Sequence, residues 1–146
     1  MVRIQISQVA EVLRTVLGLV YGGGAAVHLV LWATNRTAYA EMTPYILFEW
    51  YRELWTGLVL PNLGVLLPLL AIFEAVTAVA ILSKGRVARI GLLAGTVFNL
   101  AVAPLGFWWP SNIGLAAVHV ALLRVPYSKS TMDQLRGWGV PARGPQ

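Results

Sequence analysis

Four apolar runs alternate with short polar connections along the chain. The second run, residues 61–82 (PNLGVLLPLLAIFEAVTAVAIL), contains a single ionisable side chain, Glu74. An α-helix rises about 1.5 Å per residue, so ~20 apolar residues cross the ~30 Å hydrocarbon core of a bilayer. The pattern therefore predicts a transmembrane helix that carries a carboxyl group part-way across. An acid in that position is costly unless it is neutral, paired or in contact with water.

The other apolar runs predict three more transmembrane helices. The first and third runs contain glycines four residues apart, Gly18 with Gly22 and Gly91 with Gly95. This spacing lets helices in a membrane approach closely. The predicted spans are residues 14–32, 61–82, 87–103 and 110–125, which together with the short amphipathic segment before them form one domain, residues 1–126. The expected fold class is all-α, an integral membrane four-helix bundle.

Two segments outside the spans have their own predicted structure. Residues 44–56 place charged side chains on one helical face and aromatic side chains on the other, which predicts an amphipathic helix lying along the membrane interface. Thr43 is the expected N-cap of this helix, and Pro44 suits its first position. Residues 127–146 are polar and contain proline and glycine, so we expect a flexible tail.

Pro68 lies inside the second span and predicts a kink. It lacks an N–H group, so it cannot donate a hydrogen bond to the carbonyl of Gly64, and its ring pushes that carbonyl away.

Composition agrees with a membrane protein. The chain is 58 % hydrophobic and 12 % charged, against about 45–50 % and about 25 % for soluble domains. It contains no cysteine, which excludes disulfides, cysteine nucleophiles and thiolate metal sites. The net charge of +5 is explained by basic loops facing anionic lipid, so we expect no nucleic-acid partner.

The basic residues also predict an orientation. Nine of the eleven Lys and Arg residues fall on one side of the four predicted spans, and only Arg36 and Arg52 fall on the other. The positive-inside rule then places both termini in the cytoplasm.

Polar residues inside the spans are the candidate site. Counting the rise along each helix from the cytoplasmic end places Glu74 ~12 Å deep and His119 ~8 Å deep. The same count places His28 and Asn99 ~18–21 Å deep. We therefore expect a lower layer of Glu74, Thr77 and His119, and a higher layer of His28 and Asn99. Glu74 and His119 are the candidate catalytic residues, and the candidate ligand-binding residues are His28, Asn99, Thr77 and Tyr21.

Each of these residues also has a purely structural interpretation. Glu74 can be protonated and hydrogen-bonded to a neighbouring helix, and a lone histidine can simply be packed in the interior. Among Glu74, His28 and His119 no two lie at i, i+4 spacing, and the histidines differ in depth, so we expect no metal site.

The second and third spans resemble the DoxX-like family of small bacterial membrane proteins. The resemblance lies in residues 60–100 (LPNLGVLLPLLAIFEAVTAVAILSKGRVARIGLLAGTVFNL), with support from RTVLG at residues 14–18 and from Asn112. It implies a four-helix bundle in a bacterial plasma membrane, in some relatives linked to quinone-dependent or oxidative-stress redox complexes. Only Glu74 maps onto a recurrent polar position of that family. The long aromatic first loop departs from its pattern.

Three functions remain open at this stage. The first is a module that binds a lipophilic ligand, a quinone or a lipid, or that serves as an accessory subunit of a membrane redox complex. The second is a membrane enzyme, of isomerase or cyclase type, that uses Glu74 and His119 for acid–base chemistry on an apolar substrate. The third is a transporter, for which one four-span chain is too small without oligomerising. The expected partners are the lipid bilayer and either another membrane protein or a second copy.

Overall fold

In the computed structural model the chain is helical, with no strand among the residues that the structure describes. These are residues 2–138, with side chains described for residues 8–134. The α-helices are α1 (Val2–Thr34), α2 (Glu49–Leu54), α3 (Leu63–Leu82), α4 (Gly85–Val102), α5 (Trp109–Leu122) and α6 (Thr131–Trp138). A 3₁₀ segment, Arg36–Tyr45, follows α1, and a π turn, Trp55–Val59, leads from α2 through Leu60–Asn62 into α3.

Three helical stretches are long and apolar enough to cross a membrane. They are Gln8–Thr34 in α1, the continuous stretch Glu49–Leu82 that includes α2 and α3, and Gly85–Leu105, which includes α4. Helix α5 has 14 residues and spans ~21 Å, which is shorter than the ~30 Å hydrocarbon core. Three of the four predicted spans therefore meet the length requirement on their own, and the fourth stays a prediction.

Helices α1, α3, α4 and α5 pack in that spatial order, each against the next. They share one apolar core of buried residues: Ala10, Leu17 and Tyr21 from α1, Ala78 and Ile81 from α3, Ala88 and Leu92 from α4, Leu122 from α5, and Tyr127 beyond it. A β-carbon on Gly91 would lie 2.6 Å from the backbone nitrogen of Ile81, so the α3–α4 contact depends on glycine. Gly18 is similarly covered by Leu82, but Gly22 has nothing within 4 Å. A β-carbon on Gly95 would collide with His119 and Tyr21. The predicted close approach therefore occurs at Gly18, Gly91 and Gly95 and not at Gly22.

The polarity of the fold is the reverse of that of a soluble protein. Its fully or nearly buried polar residues are Arg14, Glu74, Thr77, Asn99 and His119. Large apolar side chains cover the outside instead, and Leu19, Val79 and Val97 are each about two-thirds exposed. Soluble monomers rarely expose contiguous apolar surface on this scale.

The two ends of the helices differ in character. One end carries residues 35–62 and 103–109, and we call it the aromatic end. The other carries residues 83–84 and 123–130 together with Arg14, and we call it the basic end.

The predicted interfacial helix over residues 44–56 is wrong in its boundaries. Residues 36–45 form a 3₁₀ segment that includes Pro44, and the α-helix begins at Glu49, with Phe48 rather than Thr43 at the N-cap position. The cause is tertiary: the N–H of Leu47 donates to the carbonyl of Pro104 at 3.0 Å. This bond docks the first loop on the α4–α5 connection and holds the chain extended just before α2.

The predicted flexible tail is wrong where it begins. Tyr127 is buried, its hydroxyl donates to the carbonyl of Leu122 at 2.8 Å, and its carbonyl accepts from the N–H of Gly85 at 2.8 Å. Helix α6 follows, and residues 139–146 of the predicted tail lie outside the described residues. The polar composition of this segment concealed an aromatic residue that belongs to the core.

The consequence of Pro68 is visible at Gly64. The indole N–H of Trp32 donates to the Gly64 carbonyl at 2.9 Å, which is the carbonyl that Pro68 cannot serve. A side chain from α1 therefore supplies the donor that Pro68 cannot provide to this carbonyl of α3.

Candidate functional site

Glu74 lies on the buried face of α3, against the backbone of α1. The buried positions of α3 recur every three or four residues and place Glu74 between Ala71 and Ala78 in this stripe. A β-carbon on Gly24 would lie 2.8 Å from Oε1 of Glu74. The carboxyl group is therefore accommodated because α1 has no side chain at Gly24.

His28 and Tyr39 complete a chain of polar groups that begins at Glu74. The Nε2 atom of His28 lies 3.5 Å from Oε2 of Glu74, and its Nδ1 atom is hydrogen-bonded to the hydroxyl of Tyr39. Each ring nitrogen of the imidazole therefore faces one oxygen. In a neutral ring, whether Nδ1 donates to Tyr39 or accepts from it determines whether Nε2 faces Glu74 as an acceptor or as a donor.

The hydroxyl of Tyr39 belongs to the segment Arg36–Tyr45, outside the spans. Burial raises the pKa of Tyr39 to about 12. Tyr39 is therefore a neutral hydroxyl at physiological pH, able to donate to His28 or to accept from it.

The predicted grouping of polar residues into two layers is wrong. It paired Glu74 with His119, whereas the structure pairs Glu74 with His28. Side chains lean toward the N-terminus of their own helix, and α1 and α3 run antiparallel. His28 therefore leans toward the basic end and Glu74 toward the aromatic end, which closes the gap that a count of backbone depth left between them.

A second polar cluster centres on Tyr21. The side-chain amide of Asn99 donates to the Tyr21 hydroxyl at 2.8 Å and to the carbonyl of Gly95 at 2.8 Å. The rings of Tyr21 and His119 meet edge to face with centroids 5.7 Å apart. Tyr21 thus joins the predicted members of the two layers, Asn99 and His119, in one cluster.

His119 is fully buried in this cluster. Its Nδ1 atom lies 2.6 Å from the carbonyl of Leu115 and must donate to it, whereas its Nε2 atom has no hydrogen-bond partner within the described part of the chain. Gly95 makes room for the ring, because a β-carbon there would collide with Nε2 of His119. Thr77 is buried one turn from Glu74, toward the basic end. No group of three His, Asp or Glu side chains within the described part is arranged to hold a metal ion.

An apolar groove runs between α3 and α4 beside these clusters. It has a volume of about 720 Å³ and is open along the outer surface of the two helices. Phe98 forms part of its wall, 5.4 Å from Phe73 and 6.3 Å from Tyr21 between ring centroids. A single aromatic ring therefore separates the groove from the Tyr21 cluster.

Two important residues did not stand out in the sequence as parts of a site. Tyr39 lies in a loop whose pattern predicted no structure. Arg14 was noted for its charge and as part of the RTVLG resemblance, but its guanidinium is fully buried and donates to the carbonyl of Ser83, just after α3, and to that of Lys129, in the segment after α5. An arginine at the start of an apolar span is the one available signal, because such a charge needs partners if it is buried.

The chain matches no protein-family model, and no curated protein or solved structure is detectably similar to it. The resemblance to the DoxX-like family stays a prediction.

Proposed function

We propose that this chain is an integral membrane protein with four transmembrane helices that binds a lipophilic molecule, with Glu74 as the polar group at the binding site. The observation that carries the proposal is the state of Glu74. Its side chain is only 6 % exposed, its Oε2 atom has no hydrogen bond within the described part of the chain, and it faces His28 across 3.5 Å. A buried acid with an unfilled bonding position is costly, and it marks a functional site in a membrane.

The surface supports insertion in a bilayer. The exposed faces of α1, α3 and α4 are covered by large apolar side chains, which a bilayer solvates without cost. Helix α5 is short, but it begins at the aromatic end with Trp109 and ends at the basic end, beside the turn at Gly85. It therefore joins the same two ends as α4, which supports a fourth crossing.

The excess of Lys and Arg at the basic end supports a cytoplasmic position for that end and for both termini. The resemblance to the DoxX-like family supports a bacterial plasma membrane.

The α3–α4 groove supports a ligand with a long apolar part. Its walls are aliphatic and aromatic, for example Leu69, Phe73 and Val97, and apolar pockets of this size commonly hold drug-sized or lipid-sized molecules. A polar head passing Phe98 would reach the hydroxyl of Tyr21 and the carboxyl of Glu74. A quinone or a lipid has this combination of tail and head. The same surface suits an accessory subunit that docks on a membrane redox complex.

A membrane enzyme is the alternative, and one contact favours it. Glu74 and His28 form a carboxyl–imidazole pair whose second ring nitrogen is held by Tyr39. This arrangement suits proton transfer to and from an apolar substrate, as in an isomerase or a cyclase. The sequence suggested His119 as the partner of Glu74 in such chemistry, but the geometry favours His28.

The test compares Glu74→Gln with Glu53→Gln, a matched change at an exposed acid in α2. Each variant is purified in mild detergent from the same membranes, and its bound small molecules are extracted and identified by mass spectrometry. We expect a lipophilic compound that co-purifies in a fixed ratio with the native chain and with Glu53→Gln but is depleted in Glu74→Gln. Equal retention by all three proteins, with Glu74→Gln correctly folded, would contradict a ligand site at Glu74.

A further inference from the structure

Glu74 is surrounded differently in the two directions along the helices. From α1 it faces His28, and Tyr39 of the loop at the aromatic end lies behind His28. The buried polar side chain of α4 is Asn99, which bonds Tyr21 and does not titrate. The protonatable group that lies directly against Glu74 is thus His28.

Toward the aromatic end, polar groups lead from Glu74 to the surface. The side chain of His28 is 21 % exposed, unlike that of Glu74, so one edge of its ring reaches the outside. Its Nδ1 atom is bonded to Tyr39 in the segment Arg36–Tyr45. Residues of the same segment, Arg36 and Thr37, line a surface cavity of about 350 Å³. His28 therefore connects a buried acid with the polar segment at the aromatic end.

Toward the basic end the path is closed. Thr77 is the last polar side chain on the Glu74 face of α3, and His119 of the Tyr21 cluster is fully buried, with its Nδ1 atom held by the carbonyl of Leu115. Beyond these residues Ile81, Ala88 and Leu92 are all completely buried and apolar. Such a dry layer offers no hydrogen-bonded route for a proton.

An ion pair lies behind this apolar layer. The buried guanidinium of Arg14 donates to the carboxyl of Glu11 at 2.6 Å and to the carbonyl of Ser83 at 2.5 Å. The donors of Arg14 are thus bonded within the fold and offer no open relay toward Glu74.

We infer that Glu74 exchanges its proton only with the side of the membrane at the aromatic end, through His28. The proton on Oε2 of Glu74 passes to Nε2 of His28, leaving a carboxylate, and the imidazolium then releases its Nδ1 proton to the oxygen of Tyr39. In the same step Tyr39 gives its own hydroxyl proton to a water molecule at the aromatic end, so one proton leaves Glu74 and one reaches that water. Uptake follows the reverse order.

This inference rests on the proposed membrane insertion, and it states with which side of the membrane the site exchanges protons. A ligand that gains or loses a proton at Glu74 would exchange it with the compartment at the aromatic end. Under the orientation proposed above, that is the compartment outside the cytoplasm.

The test uses the full chain in sealed lipid vesicles with one orientation selected. A step in pH is applied on one side, and the carbonyl stretching band of the protonated Glu74 carboxyl is followed by infrared difference spectroscopy. The band is assigned by its loss in Glu74→Gln. We expect it to respond to a step at the aromatic end, and to respond to a step at the basic end only after a protonophore is added.

Variants test the route itself. His28→Phe keeps a ring of similar size but removes both nitrogens, and we expect it to slow the response to the aromatic-end step by about 100-fold, the typical contribution of a positioned proton-transfer group. Tyr39→Phe keeps the imidazole and should slow the response less, because the exposed ring edge remains. Matched thermal unfolding of both variants shows that each is folded.

Three results would overturn the inference. They are a response to the basic-end step without protonophore, an unchanged rate in a folded His28→Phe protein, and a band that responds to neither side. None of these results depends on co-purification of a ligand. If the chain retains a ligand through Glu74 but gives one of these three results, the proton route is wrong and the proposed ligand site still stands.

Discussion

Replacing Arg14 by leucine should destabilise the fold more than any other single charge removal at the basic end. Its guanidinium is completely buried and donates to Glu11 at 2.6 and 2.9 Å, to the carbonyl of Ser83 at 2.5 Å and to that of Lys129 at 3.3 Å. Its central carbon also lies 4.5 Å from the centre of the Tyr127 ring. One side chain thus ties α1 to the end of α3 and to the segment after α5.

The expected loss follows from these contacts. A hydrogen bond to a charged group is worth about 1.5–3 kcal/mol, and an acceptor left buried without a donor costs about 1–3 kcal/mol. The carboxyl of Glu11 is 23 % exposed and regains water when the arginine is removed, so most of the cost falls on the carbonyl of Ser83 and on the lost ring contact. We expect Arg14→Leu to lower the free energy of unfolding by about 3 kcal/mol.

The assay is reversible unfolding in mixed micelles, followed by circular dichroism as denaturing detergent is added. The matched control is Arg86→Leu, because Arg86 is exposed and makes no hydrogen bond or ion pair within the described part of the chain; its loss should stay within about 0.5 kcal/mol. Arg14→Lys should fall between the two, since an ammonium group keeps the charge but lacks the fork of donors. If Arg14→Leu unfolds at the same point as Arg86→Leu, the bonding role assigned to Arg14 is refuted.

Three further changes test packing, the proline site and pH dependence. Gly91→Ala should lower the free energy of unfolding by about 1–3 kcal/mol, because its β-carbon would lie 2.6 Å from a backbone nitrogen of α3 and the helices must separate. Gly22→Ala, with open space around it, should leave this free energy unchanged in the same assay. Trp32→Phe leaves the Gly64 carbonyl without its donor and should cost about 1 kcal/mol, and an unchanged stability would show that lipid or water replaces the indole at no cost. Burial raises the pKa of Tyr127 from 10.0 to about 12, so the unfolded chain loses this proton first and stability should fall as pH rises from about 10 to about 12; the fall should be smaller in Tyr127→Phe, and equal curves for the two proteins would contradict the burial of this hydroxyl.

The helices of the apolar runs were predictable because hydropathy acts locally. The stretch that ends at Leu82 and the stretch that begins at Gly85 differ from the predicted spans by two residues or fewer at those ends. The hydrogen bond from Trp32 to the Gly64 carbonyl was only half predictable. The position of Pro68 identifies the carbonyl that lacks a donor, but it does not identify the side chain that donates to it. Its donor comes from a different helix, so no local pattern identifies it.

The polar residues within the apolar runs were predictable as buried groups, and their pairings were not. Glu74, His28, Tyr21, Asn99 and His119 were all recognised because polar residues are rare inside apolar runs. Their grouping was wrong because it used backbone depth alone, while antiparallel helices direct their side chains toward one another.

Residues in the connections were the least predictable. Tyr39 and Tyr127 lie in segments of polar composition, yet both are buried by contacts with residues distant in sequence. The first helical residue of α2 was misplaced for the same reason: docking of Leu47 on Pro104 overrides the local cap and proline signals.

Because the chain has no native cysteine, labelling of single introduced cysteines tests the central claim most directly. The claim is that the apolar faces of the helices contact lipid and that the two ends lie on opposite sides of a membrane. Thr37→Cys, Lys84→Cys and Ile72→Cys place one thiol at the aromatic end, one at the basic end and one at the middle of the exposed face of α3, where Ile72 is 60 % exposed. In sealed membranes treated with an impermeant maleimide, we predict that Thr37→Cys reacts only from outside the cytoplasm, Lys84→Cys only from the cytoplasmic side, and Ile72→Cys from neither until the membrane is dissolved. Rapid labelling of Ile72→Cys in intact membranes, or labelling of both ends from one side, would contradict the account.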